Sequence, residues 1–240
     1  MKRRSRLITV AVIISMLAAC DKPEEENEVI TVTDIDGNIY QTVTIGNQTW
    51  LAENLKVTHY RDGTAITNVA DNAEWATLTT EAYCIYNNNA SNQLETYGVL
   101  YNWYVVADGR NLAPEGWHVP TDGEWKELEM ELGMSTSEAD DTGWRGTNEG
   151  SKLARNADLW DDGDLKTNSE FGALGFNALP GGERNGSGPF FTIGSTAYFW
   201  SATESSSSSA WNRLLHSYYS EVARFDNGKR FGFSVRLLRD

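Results

Sequence analysis

The region between residues 96 and 133 carries the clearest pattern of hydrophobic and polar positions in the chain. In its first part, apolar and aromatic side chains recur at helical spacing, at Tyr97, Leu100, Tyr101, Tyr104 and Val105. This spacing predicts a half-buried helix with one apolar face, and Gly109 is expected to end it. Aromatic stripes of this kind usually form core, so we expect a structural role for them.

A second helix is predicted a few residues later. Residues 117–119 form a short extended piece, because the residue before Pro120 is biased away from the helical region. Thr121 is a good N-cap, and Glu124 three residues later completes the signature of a capping box. Gly133 is expected to end this helix. Its apolar face consists of Trp125, Leu128 and Leu132.

Strand patterns occupy both ends of the chain. Residues 29–51 alternate apolar and polar positions around turn signals at 36–38 and 46–47, which is typical of an antiparallel meander. Residues 190–240 contain further strand-forming stretches, separated by the serine run Ser205–Ser209 and by a turn at 226–228.

One late stretch predicts a sheet with a single solvent-exposed face. In this stretch Val222, Arg224 and Asp226 alternate with Ala223 and Phe225.

The segments between these elements are predicted to be loops with short helices. One short helix is expected at Glu74 and Trp75, and another at residues 150–155, where it packs Leu153. Residues 87–92 are predicted to be a polar loop. Residues 160–182 are rich in glycine and acidic residues, which predicts a long loop. We expect this loop to be ordered by its contacts with the rest of the domain. These patterns predict one α+β domain over residues 29–240.

The first residues have the composition of a secretory signal peptide. Basic residues precede an apolar run at 7–19 that is too short to span a bilayer. The run ends in Leu17-Ala18-Ala19-Cys20, which resembles the lipobox of bacterial lipoproteins and implies cleavage after residues 1–19 and lipidation of Cys20. The alternative, an ordinary signal peptide, would leave a free thiol in an oxidising compartment.

Residues 20–28 are polar and acidic, and we interpret them as a flexible tether to the membrane. Acidic residues directly after the cysteine also resemble the surface-export signal of lipoproteins in Bacteroidota-type bacteria. This implies an outward-facing position on the outer membrane, with a periplasmic orientation left open. The chain has a formal net charge of −14, so nucleic acid is not expected as a partner, because binding phosphates requires clustered lysine and arginine.

Cys84 would be the only cysteine left beside a lipidated Cys20. No disulfide could then form within the mature chain, and packing alone would hold the domain. Cys84 lies in the apolar segment EAYCIY, and we expect an inert thiol because nothing near it in sequence lowers its pKa.

With these elements identified, the chain resembles the Fibrobacter succinogenes major paralogous domain, a family of bacterial cell-surface lipoproteins. The resemblance covers about residues 30–240. It rests on the motifs IGNQTWLAENLK, YNNNASNQLETYGVLYNWY, GWHVPTDGEW, GFNALPGGERNGSGPF, YFWSATE and NGKRFGFSVRLLRD.

GWHVPTDGEW and the terminal GFSVRLLRD also resemble the formylglycine-generating enzyme and sulfatase-modifying group. This resemblance implies a C-type-lectin-like fold, with two helices against small antiparallel sheets, long ordered loops, and the first and last strands close together. The chain departs from that group because its late region lacks the cysteine pair that holds copper. It also lacks the EPN, QPD and WND tripeptides of calcium-dependent lectins.

Two groups of side chains are candidate metal ligands. The acidic cluster comprises Asp161, Asp162 and Asp164, where a bound calcium ion would order the long loop, and the alternative is a solvated acidic turn. The histidines are His59, His118 and His216, whose spacing matches no ligand motif, so we interpret them as structural. No cofactor other than this possible calcium is predicted.

The chain contains nine tryptophans, and this high tryptophan content is the feature of the composition that is relevant to function. Flat aromatic faces beside polar groups suit sugar rings. Because they lie in predicted loops, Trp160, Trp211 and Arg184 are the expected exposed ligand-binding residues. The leading hypothesis is therefore a non-catalytic, lipid-anchored surface module that binds polysaccharide or a surface protein. The alternatives are a metal-dependent enzyme related to the sulfatase-modifying group and a purely structural envelope protein.

Overall fold

Short strands and short helices make up the structure, a computed structural model that describes residues 31–240. The predicted signal peptide, Cys20 and the whole of the predicted tether lie outside the described residues. The strands are β1 (Thr31–Thr33), β2 (Ile39–Ile45), β3 (Gln48–Leu51), β4 (Tyr83–Cys84), β5 (Leu100–Tyr101), β6 (Trp117–His118), β7 (Gly143–Arg145), β8 (Glu183–Arg184), β9 (Phe190–Phe191), β10 (Thr196–Glu204), β11 (Ser209–His216), β12 (Tyr219–Gly228) and β13 (Leu238–Arg239). The helices are α1 (Asn72–Thr77), α2 (Ala90–Tyr97), α3 (Trp103–Val106), α4 (Asp122–Glu131), α5 (Thr136–Asp140), α6 (Glu149–Leu153) and α7 (Asp164–Thr167).

The first sheet joins the two ends of the domain. Its strands follow the order β1-β2-β3-β13-β6, and the pairs are antiparallel. Leu238 of β13 lies opposite both Trp50 and His118. The predicted early meander is confirmed, and the last strand, β13, joins the same sheet by pairing with β3.

The second sheet is built from the late strands, in the order β10-β11-β12-β7. A serine loop joins β10 to β11, as predicted, and Ser205 N–H donates to the Ser209 carbonyl at 3.1 Å. Arg224 is only 6% exposed and Phe225 is 37% exposed, so the charged residue of this pair is the buried one. The reason is that the Arg224 guanidinium donates hydrogen bonds to the carboxylate of Asp122 on α4. This carboxylate balances the charge of the arginine in the interior.

The predicted helix across residues 97–105 is wrong. The chain instead completes α2 at Tyr97, turns at Gly98, forms β5, and starts α3 after Asn102. Gly98 has φ +75° and a side chain there would approach the Leu55 carbonyl to 2.8 Å, so helical continuation is blocked. Pairing of β5 with β4 and with Phe233 then outweighs the helical spacing. The predicted loop at 87–92 correspondingly contains the start of α2.

The second predicted helix is confirmed as α4. Thr121 and Glu124 form a reciprocal capping box, and the buried face includes Trp125 and Leu128. Trp125 packs against Trp50 with ring centroids 4.8 Å apart. The short helices predicted near Trp75 and Leu153 are α1 and α6, and both side chains are buried. Among residues 31–240, no helix combines the length and apolar character that crossing a membrane requires.

Candidate functional site

Five aromatic side chains form a cluster at the surface of the second sheet. We call this cluster the aromatic platform. It comprises Trp144, His216, Tyr218, Tyr219 and Phe225. Tyr218, Tyr219 and Phe225 are 63%, 42% and 37% exposed, and the other two rings are partly exposed. Large aromatic rings that reach solvent together are uncommon enough on a folded surface to indicate binding.

The rings of the platform are arranged as two nearly aligned pairs and one edge. Trp144 and Tyr219 lie with centroids 4.3 Å apart and planes at 32°. His216 and Tyr218 lie 5.0 Å apart at 27°. Phe225 meets Trp144 edge-on, at 90° and 6.5 Å. The platform therefore offers flat faces in addition to ring edges.

Strand register brings these rings together from three segments. Trp144 on β7 lies opposite Ala223 of β12, and His216 on β11 lies opposite Tyr219. A register shift between Leu214 and His216 accompanies the tight turn into β12. Trp144 is thereby placed beside rings that follow it by more than seventy residues in the chain.

His216 is a neutral member of the platform. Burial lowers the pKa of its imidazole below the ordinary value, and the charge of Asp161 opposes that shift only in part. The backbone N–H of Tyr218 donates to Nδ1 at 3.1 Å, so Nδ1 is the acceptor nitrogen and the ring proton lies on Nε2. A neutral ring suits stacking and hydrogen bonding.

A buried network of charges holds the platform strands from the opposite side. Adjacent residues of a strand point to opposite faces, so Trp144 and Phe225 face out while Arg145 and Arg224 face in. Arg145 Nη2 lies 2.8 Å from a Glu129 carboxylate oxygen, and Arg224 Nη2 lies 2.8 Å from one of Asp122. Arg213 bonds to both carboxylates. Helix α4 is thereby fixed to β7, β11 and β12.

The predicted exposure of Trp160 and Arg184 is wrong. Trp160 is 3% exposed, and its Nε1 donates to the Arg155 carbonyl at 3.1 Å. Arg184 is fully buried and lies 4.3 Å above the Trp75 ring, where backbone carbonyls accept from its guanidinium. Arg184 lies in strand β8 and Trp160 directly follows a helical turn, so neither occupies the exposed loop that the sequence predicted. Trp211 is partly exposed, and the Arg224 guanidinium covers it at 3.6 Å.

The acidic residues predicted to bind calcium have separate partners. Asp161 accepts from Ser195 Oγ at 2.7 Å, and Asp162 pairs with Lys166 at 2.8 Å. Asp164 lies in the first turn of α7. Within residues 31–240, no group of three or more histidine, cysteine or acidic side chains is placed to hold a metal ion. The histidines are also apart: His59 pairs with Asp36, and His118 bonds Glu124 and Asp240.

Comparison with protein families decides the relationship that the motifs suggested. The Fibrobacter succinogenes major domain matches residues 43–239. The chain belongs to this family. No curated protein and no solved structure matches the chain. The residues of the chain that match the family, 43–239, include α4, the second sheet and the whole aromatic platform.

Sequence reasoning missed the platform although one signal for it was present. Tyr219 and Phe225 lie six residues apart on β12, an even spacing that puts both on one face of a strand. The alternation at residues 222–226 predicts one solvent-exposed face, and it contains no signal that Arg224 is buried while Phe225 is exposed. In this Fibrobacter succinogenes major domain, the face of β12 that points outward is the one that carries Tyr219 and Phe225.

Proposed function

We propose that the protein is a lipid-anchored binding module on the outer face of the outer membrane and binds neutral polysaccharide through the aromatic platform. The observation that carries this proposal is the cluster of exposed aromatic rings packed side by side at one surface. The apolar faces of sugar rings stack on such surfaces, while hydroxyl groups bond to neighbouring polar side chains. The proposed role includes no chemical step.

A polar cleft beside the platform supports the choice of a neutral glycan. The cleft has a volume of about 390 Å³ and shares Trp144 with the platform. Glu138, Asp141 and Thr142 also line it and supply acceptors for hydroxyl groups. Two carboxylates at this place repel an anionic polymer, and the net charge of −14 acts in the same direction.

We also propose that the fold is C-type-lectin-like. Pairing of the last strand, β13, with β3 supports this, since closely spaced chain ends are part of the fold that the resemblance implies. Surface anchoring is supported by the lipobox-like Leu17-Ala18-Ala19-Cys20 and the acidic residues that follow it.

Affinity electrophoresis tests the carbohydrate proposal. Purified protein is run through gels that contain neutral β-glucan, xylan or mannan, and retention is compared with that of Trp144→Ala and Tyr219→Ala. We expect retention on at least one polymer and about tenfold weaker binding in Trp144→Ala, which corresponds to about 1.4 kcal/mol. Melting temperatures are measured alongside to verify that both variants are folded.

Phe191→Ala is the matched control, because Phe191 is 48% exposed and lies outside the platform. This variant should bind as the unmodified protein does. The carbohydrate proposal fails if no neutral polymer retards the protein, or if the platform variants and the control bind equally well.

A further inference from the structure

A second cavity lies apart from the platform and is built around Arg236. We call it the Arg236 pocket. Its volume is about 290 Å³, and it shares no lining residue with the platform or its cleft. Asn54, Arg155, Asn177 and Arg236 are the lining residues whose contacts bear on binding. A cavity of this size suits a single monosaccharide-sized molecule.

Arg236 is a buried cation without a carboxylate partner within residues 31–240. Its four hydrogen bonds all go to neutral oxygens: Asn54 Oδ1 and the carbonyls of Leu51, Phe176 and Asn177. One of its five N–H groups, on Nη2, is therefore left for another acceptor. The buried Arg145 and Arg213 differ, because each is paired with Glu129. Arg184 is also buried among neutral acceptors, so what distinguishes Arg236 is that it lines a cavity together with a second arginine, Arg155. Two cationic side chains at one cavity suit an anionic ligand.

Asn177 adds an unsatisfied polar group to the same pocket. Its Oδ1 is buried and has no hydrogen-bond partner among the described residues. The backbone there has φ +57°, a conformation that asparagine tolerates better than most residues. The amide is thus held beside the pocket with an acceptor free for a hydroxyl group.

The charge of the pocket is opposite in sign to that of the chain. Three cationic side chains (Lys56, Arg155 and Arg236) and two anionic ones (Glu53 and Glu95) line it. Lys56 Nζ lies 3.3 Å from Glu95 and 3.7 Å from Glu53, so the two glutamates already have a cationic partner. Arg155 is exposed and has no ion-pair partner in the described part of the chain. A negative ligand meets a net positive lining on a protein of charge −14.

We propose that the Arg236 pocket binds a single uronic acid unit, with its carboxylate on Arg155 and the free Nη2 hydrogen of Arg236, and a hydroxyl group on Asn177 Oδ1. The exposed guanidinium of Arg155 can bond a carboxylate through two parallel N–H groups, whereas Arg236 contributes its single free N–H. The unit is either a free uronate or one residue of an acidic polysaccharide. The proposal is independent of the platform, which we assign to neutral glycans.

Isothermal titration of the purified protein with glucuronate and galacturonate tests the pocket, with glucose as the uncharged comparison. We expect uronate binding and no glucose binding. Arg155→Ala should weaken uronate binding on the order of tenfold, because it removes a charge-assisted hydrogen-bond partner. Asn177→Gly should weaken it as well, and glycine keeps the positive φ so that the backbone is not strained.

Two matched controls separate this site from general charge and from the platform. Arg239→Ala removes another exposed arginine, outside the pocket, and should leave uronate binding unchanged. Trp144→Ala should also leave it unchanged. Titration with polygalacturonate distinguishes the sources: equal affinity for monomer and polymer assigns a free uronate, and tighter polymer binding assigns a residue within a chain. Absence of uronate binding, equal binding of glucose, or indifference to both pocket variants overturns the proposal.

Discussion

Asp122→Asn tests whether the buried charge network stabilises the second sheet. Asp122 lies at the start of α4, with a side chain only 7% exposed, and accepts from Arg213 and Arg224 at 2.7 and 2.8 Å. The substitution keeps the shape of the side chain and removes its charge. Both arginines then lose part of their compensation in a site that solvent does not reach.

The pKa of Asp122 gives the magnitude. Burial by itself raises this pKa, but hydrogen bonds from Arg224 and the charge of Arg213 outweigh it and lower the pKa from 3.8 to about 2. At 1.36 kcal/mol per pKa unit, the paired carboxylate stabilises the folded state by about 2 kcal/mol at neutral pH. Because this shift already contains the interactions with both arginines, we expect Asp122→Asn to lower the free energy of unfolding by about 2 kcal/mol.

The pH dependence has a defined sign. Because the folded-state pKa is depressed, the contribution of Asp122 is complete above 3.8 and is lost as the pH falls through about 2. The difference between the two proteins should therefore shrink across that window. Urea denaturation followed by tryptophan fluorescence, at pH 7 and at steps below pH 4, measures both quantities.

Asp140→Asn is the control for this experiment. Asp140 pairs with Lys126 at 2.8 Å, but its side chain is 62% exposed, so solvent screens the pair and its removal should leave the free energy of unfolding nearly unchanged. The reasoning is refuted if Asp122→Asn is as mild as the control at pH 7. A large difference that persists unchanged below pH 2 would also refute it, since a protonated aspartate and an asparagine are then both uncharged.

Two further predictions concern the cysteines. Burial raises the pKa of the Cys84 thiol to about 12, so the folded protein should not react with a thiol reagent such as dithionitrobenzoate. The denatured protein should react. Rapid labelling of the folded protein would contradict this prediction. Cys20→Ser should abolish incorporation of labelled palmitate and release the protein from the membrane fraction in the producing cells, whereas lipid labelling that persists in the variant would contradict the lipidation of Cys20.

Local signals in the sequence predicted several elements correctly. The box formed by Thr121 and Glu124 acts within one turn of helix, so its outcome depends little on distant residues. The meander of β1 to β3 likewise depends on turns between neighbouring strands. The helix predicted across residues 97–105 failed because Tyr101 pairs with Phe233, a contact that no local pattern contains.

The sequence by itself determined the family, the α+β class and the inert setting of Cys84, since motifs, periodicity and neighbouring residues carry that information. Only the tertiary structure decided which polar and aromatic side chains are buried. Arg224 is buried because Asp122, more than a hundred residues earlier, supplies its counter-charge, and Phe225 is exposed for the same reason. Burial is set by contacts between distant segments, and for that reason Trp160 and Arg184 lie in the interior while Trp144 and Tyr219 lie in the aromatic platform at the surface.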